Sequence, residues 1–157
     1  NLSSFSEQLQ QRGYTPNSRW LRRELVAADA DEQLALGLSP GARVARLERL
    51  RLADEVVMAY ETSVIPATVL PHPEQVDHSL YAHLERDGQM PVRALQHIRA
   101  MNAPAQLAQQ LGVPEGQAVL FITRVGYLES GVAVELTHSY CRSDYYDFVA
   151  ELRRAPA

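Results

Sequence analysis

Apolar and polar residues alternate along much of this chain, and the alternation is interrupted by short stretches with helical spacing. The clearest run is Val44-Ala45-Arg46-Leu47-Glu48-Arg49-Leu50-Arg51-Leu52, whose period of two predicts a β-strand over residues 43–52. Asp54-Glu55 supplies a hairpin turn, and residues 56–65, rich in β-branched side chains, predict the return strand. Upstream, Ser4-Phe5-Ser6-Glu7 has the form of a capping box, opening a short helix through Leu9 to about Arg12 that Gly13 stops. Residues 14–18, with Pro16, read as a turn, and residues 20–26 as a strand. Asp29 or Asp31 caps a helix ending at Leu36-Gly37, and Pro40-Gly41 turns the chain into the arginine strand. A connector broken by Pro66, Pro71 and Pro73 follows. Ser79 then caps a helix over 80–86, closed by Gly88. Residues 92–101 predict a strand, 104–111 a helix ending in Gly112, 119–128 and 132–141 a second hairpin, and 145–152 a final strand.

The second half repeats the first. A shift of 75 residues matches Ala28 with Ala103, Leu36 with Leu111, Gly37 with Gly112, Gly41 with Gly116, Val44 with Val119 and Arg49 with Arg124. Past the hairpin turns, Ala59-Tyr60-Glu61 aligns with Ala133-Val134-Glu135, with the shift shortened by one. Helix, Leu-Gly turn, strand and hairpin strand thus occur twice in one order, which points to an internal duplication. Hairpins imply antiparallel pairing, so the expected architecture is a single α+β domain over 1–157, an antiparallel sheet with flanking helices.

Composition narrows the function classes. The chain of 157 residues is one domain in size, with 46% hydrophobic and 22% charged residues. A net charge of −4 argues against a broad nucleic-acid grip by this chain, which needs a basic surface. The single cysteine, Cys141, leaves no internal disulfide and fits a reducing, cytoplasmic setting. No apolar stretch is long enough to cross a bilayer as a helix. Asn1 opens the chain without methionine, and the expectation is a piece of a longer protein.

The chemistry concentrates on the arginine strand. Arg49 and Arg51, two apart, share a strand face with Ala45 and Leu47, a face that begins apolar and ends cationic, as at a cavity mouth. Paired guanidinium groups suit a doubly charged anion. A solvated strand face is the ordinary alternative. Glu61 falls on the matching face of the return strand, where a cross-strand salt bridge and a ligand contact both fit. The helix starts near Phe5-Ser6 and at Ser79 offer amide and hydroxyl donors to an anion, or simply cap their helices. The five histidines lack metal-ligand spacing, so no metal site is expected, and no nucleophile elbow, phosphate loop or paired acid–base carboxylates stand out. Cys141 and His138 point to opposite strand faces, and Cys141 reads as a buried or cavity-lining thiol.

The ordered set Leu2-Ser3-Ser4-Phe5-Ser6-Glu7, Arg12-Gly13, Arg49-Leu50-Arg51-Leu52-Ala53-Asp54, Glu61-Thr62, Ser79-Leu80-Tyr81 and Arg142-Ser143-Asp144 resembles the UTRA effector domain of HutC-type GntR transcription regulators. The resemblance covers essentially the whole chain. Its opening is most similar to members of the NagR and DasR type, which sense N-acetylglucosamine-6-phosphate or glucosamine-6-phosphate. It implies a chorismate-lyase-like fold, a cytoplasmic homodimer, no cofactor, no catalysis, and operator DNA bound through an N-terminal winged helix-turn-helix outside this chain. It also implies that Phe5, Ser6, Arg49, Arg51 and Ser79 hold a phosphate while Glu61, Tyr81 and Glu135 face the sugar. Cys141 stands where such members commonly carry tyrosine, and Arg93 is the nearest equivalent of a further arginine expected after the second helix. The alternatives are a chorismate-lyase-like enzyme and an effector domain for a carboxylate such as urocanate.

Overall fold

The computed structural model describes residues 11–143. The helix expected around residues 4–12 lies, except for its last residues, outside the described range, as does the strand expected over 145–152. Six strands form one antiparallel sheet: β1 (Pro16–Ala27), β2 (Arg43–Ala53), β3 (Val56–Pro66), β4 (Arg93–Asn102), β5 (Ala118–Tyr127) and β6 (Ala133–Arg142), in the order β1-β2-β3-β6-β5-β4. Among the described residues the helices are α1 (Ala30–Leu36), α2 (Leu80–Arg86) and α3 (Ala105–Leu111), and a 3-10 turn spans Pro73–Gln75 in the connector. The antiparallel α+β architecture is as the sequence predicts. One element starts earlier than expected: β1 begins at Pro16, which the sequence assigns to a turn. Proline at the first residue of a sheet-edge strand costs little, because the outward side there needs no N–H donor.

The duplication is visible in the backbone. Gly37 and Gly112 both end their helices in the left-handed region, at φ 62° and 67°, and Gly41 and Gly116 share φ 85°. The loop hydrogen bonds repeat as well: Ala28 N to Ala42 O and Leu38 N to Gln33 O in one half, Ala103 N to Gln117 O and Val113 N to Ala108 O in the other. The helix starts differ. Asp29 and Glu32 form a reciprocal capping box on α1, whereas Pro104 begins α3 with no side-chain cap.

Each hairpin also carries the same β-bulge. Arg51 faces Ala59 while Leu52 faces Val57, leaving Met58 extra; Gly126 faces Glu135 while Tyr127 faces Ala133, leaving Val134 extra. Both extra residues are fully buried. This corrects the alignment of the return strands. Pairing register relates Met58 to Val134, Ala59 to Glu135 and Glu61 to Thr137, so the shift lengthens by one there instead of shortening. The Glu-to-Glu match in the sequence comes from the neighbouring register. The two halves join through β3 and β6, where Thr62 lies opposite His138 near the pseudo-two-fold relation.

The two sheet faces are covered differently. On one, Val44, Val64 and Leu136 pack under α1, and Val119 packs under Leu107, Ala108 and Leu111 of α3. On the other, Ala45, Leu47 and Ile65 pack against Leu70, Val76, Leu80 and Leu84 of the connector and α2. Fully burying side chains such as Leu47, Ile65 and Leu84 contributes about 1.5–3 kcal/mol each. The segment linking the two halves therefore roofs this second face once, and the polar residues of interest lie beneath it.

Candidate functional site

Arg49 and Arg51 continue the apolar row of Ala45 and Leu47 under this roof, and they are only 4% and 3% exposed. They are not a solvated strand face; they line a cavity beneath the roof. Glu61 stands opposite Arg49 on β3 and is equally buried. Its Oε1 accepts from Arg49 Nε at 3.1 Å, Arg49 Nη2 at 3.0 Å and Arg51 Nη1 at 3.2 Å. Arg49 is held further by the Trp20 ring, 4.6 Å from its guanidinium carbon, and by donating to the His78 carbonyl. Trp20 in turn donates to the Asp77 carbonyl, and Arg23 to that of Val76, so side chains from β1 and β2 fasten the connector in place.

The second half contributes the other wall. Arg124, at the β5 position that repeats Arg49, donates to Glu135 Oε2 at 3.1 Å. Glu135, wholly buried on β6, also accepts from the Tyr81 hydroxyl at 2.7 Å and the Thr137 hydroxyl at 2.6 Å. Ser63 and Thr137 hydroxyls meet at 2.9 Å across the β3–β6 seam, and Ser139 donates to Glu61 Oε2 at 3.4 Å. Besides Glu61, which Thr137 replaces in the second half, the halves differ at the bulged pair. In the first, a long Arg51 faces a small Ala59; in the second, a bare Gly126 faces a long Glu135. The size exchange lets both long side chains enter one cavity.

Electrostatics follow from burial. Desolvation alone would raise the Glu61 carboxyl, but Arg51, Arg49 and Arg124 outweigh it and hold the group at about 2. Burial, reinforced by the adjacent Glu135 carboxylate, pushes the Tyr81 hydroxyl far above its ordinary range, so it stays a donor. Arg124 is desolvated too, yet the facing Glu135 more than compensates and its cation is stabilised. Among the described residues, three guanidinium groups thus face two carboxylates.

These side chains enclose a cavity of about 20 Å³, lined by Ser63, Ser79, Leu80 and Tyr81 besides the arginines and glutamates. A larger cavity of about 340 Å³ lies beside α3 on the opposite sheet face, but its lining, which includes Tyr60, Leu107 and Tyr140, holds no cation. Its single carboxylate, Glu48, already accepts from Tyr60. The guanidinium groups gather at the smaller space.

Of the residues singled out from sequence, Arg49, Arg51, Ser79, Glu61, Tyr81 and Glu135 converge on this cavity. Ser79 also caps α2, accepting from Ala82 N. Cys141 lies on the same sheet face, buried between Ala59 and Ile122 and outside the cavity lining, and burial raises its thiol to about 12. Phe5 and Ser6 lie outside the described residues. Arg93 does not join the site. It pairs with Tyr127, one residue out of phase with the Gly126 row, and is exposed over the Tyr127 ring at 4.2 Å. The third cation is Arg124 instead. Its signal was its repeat of Arg49 at a shift of 75 residues. Ser63, Thr137 and Ser139 carried no comparable signal.

Comparison with known proteins identifies the family and supports the fold. The chain is 36% identical over 158 residues to the transcriptional repressor NagR of Bacillus subtilis, covering 98% of this chain and 64% of that protein. It is 28% identical over 147 residues to the transcriptional regulator GgaR of Escherichia coli, covering 94% and 59%. The chain thus spans less than two thirds of these relatives. The crystal structure of the effector domain of PhnF from Mycobacterium smegmatis superimposes with a TM-score of 0.91 at 28% identity, covering 98% of this chain and 97% of that one. Fold and relatives together define an effector domain of a transcription regulator, not an enzyme. The UTRA domain family matches residues 11–147, and the chain belongs to that family, found in HutC-type GntR regulators.

Proposed function

We propose that this domain senses a phosphorylated sugar, with N-acetylglucosamine-6-phosphate or glucosamine-6-phosphate favoured, and that binding modulates operator recognition by a winged helix-turn-helix domain of the full-length protein. The regulator would act as a cytoplasmic homodimer. The observation that supports this is the meeting of Arg49, Arg51 and Arg124 around one buried cavity that also holds Glu61, Glu135 and Tyr81. Guanidinium groups suit phosphate oxygens, while carboxylates accept from sugar hydroxyls or an amine. A ligand shifts the regulator between states only through different affinities for them, and a cavity this small gives a larger ligand reason to prefer an opened state.

Thermal-shift and calorimetric titration with both amino-sugar phosphates, other phosphosugars and urocanate tests the reading. A phosphosugar at 100 times its dissociation constant should stabilise the fold by about 2.7 kcal/mol. Arg51→Met, which keeps volume and removes charge, should remain folded and lose that shift. A shift by urocanate with none by any phosphosugar would sink the proposal.

A further inference from the structure

Glu61 stands in a peculiar place for a residue that only contacts sugar. One of its oxygens takes three donor hydrogens from both arginines, so the carboxylate already occupies the position an incoming anion needs. The space left over, about 20 Å³, is that of a single water. A phosphate that takes the hydrogens of Arg49 Nε, Arg49 Nη2 and Arg51 Nη1 therefore displaces Glu61 from them. The displaced carboxylate then lies beside a second anion, and the described residues offer it little in return. Ser139 is its remaining donor, at 3.4 Å, while the Ser63 and Thr137 hydroxyls already bond each other.

We propose that Glu61 is a specificity-determining residue that sets phosphate esters carrying hydroxyl or amine donors apart from bare inorganic phosphate. The inference rests on the phosphosugar reading above and deepens it. Inorganic phosphate displaces Glu61 and leaves it a buried acceptor with only Ser139 as donor among the described residues, which is costly. An ester whose sugar places donors against the released carboxylate satisfies the arginines and Glu61 together. The site then responds to the two features jointly and ignores an anion alone.

Calorimetry on the wild type and Glu61→Gln, each with inorganic phosphate and with glucosamine-6-phosphate, provides the test. The variant is expected to bind inorganic phosphate about tenfold more tightly and the phosphosugar about tenfold more weakly, each step being ~1.4 kcal/mol. Glu61→Asp keeps the charge but withdraws it by one methylene; it should move both affinities the same way by less, and it serves if the glutamine variant fails to fold. Should the wild type bind the phosphosugar while both variants bind inorganic phosphate no better than it does, Glu61 is not the discriminator and the phosphosugar reading stands. If the wild type binds no phosphosugar, the phosphosugar reading fails and this inference with it.

Discussion

Gly126 and Glu135 face each other across β5 and β6, and a Cβ built on Gly126 would lie 2.8 Å from Glu135 Oε1 and 3.0 Å from the Pro91 side chain. Gly126 has no positive φ, so its backbone suits any residue. The requirement for glycine is one of space alone. Gly126→Ala at a compatible backbone would ordinarily stabilise by about 0.4–1 kcal/mol. Here overpacking should reverse the sign and cost about 1–3 kcal/mol. Urea unfolding measures it, and a raised midpoint would show that the carboxylate can move aside freely.

The acid limb of stability should depend on Glu61. Its folded value is lowered from 4.5 to about 2, so its contribution is fully present above pH 4.5 and is lost as pH falls towards about 2. Urea midpoints of the wild type and Glu61→Gln followed across that window should converge as the pH drops. Parallel curves would mean that the carboxylate is not ion-paired as described.

Cys141 should be inert in the folded protein. It is 2% exposed, and burial raises its thiol to about 12, so almost no thiolate exists at neutral pH. An aromatic disulfide reagent should leave the native chain unmodified and titrate one thiol on unfolding, since Cys141 is the sole cysteine. Rapid native labelling would place the sulfur at an accessible wall of the site.

Local signals carried the fold far. Turn glycines, the Asp29 capping box and the alternation of β2 are properties of a few neighbouring residues, and these elements stand near their predicted limits. What local signals cannot carry is pairing between distant strands. The β3–β6 seam joins residues 72 to 82 positions apart, and it decides that Ser139 reaches Glu61 and that Thr137 meets Ser63. Strand phase was hidden for the same reason. Whether Arg93 or Arg124 faces the cavity depends on the register of β4 against β5 and of β5 against β6, where one residue's step exchanges the faces. Burial of Arg49 and Arg51 depended on the roof, which comes from a proline-broken connector that sequence treated as a mere link.

The exchange of Arg51 and Ala59 for Gly126 and Glu135 has a consequence for orientation. Were the two halves identical, the cavity astride their pseudo-dyad would accept any guest equally well turned end for end. With Arg51 answered by Gly126 in the other half, and Glu135 by Ala59, the two ways round differ in energy. The chamber has a head and a tail, and its two ends are not interchangeable.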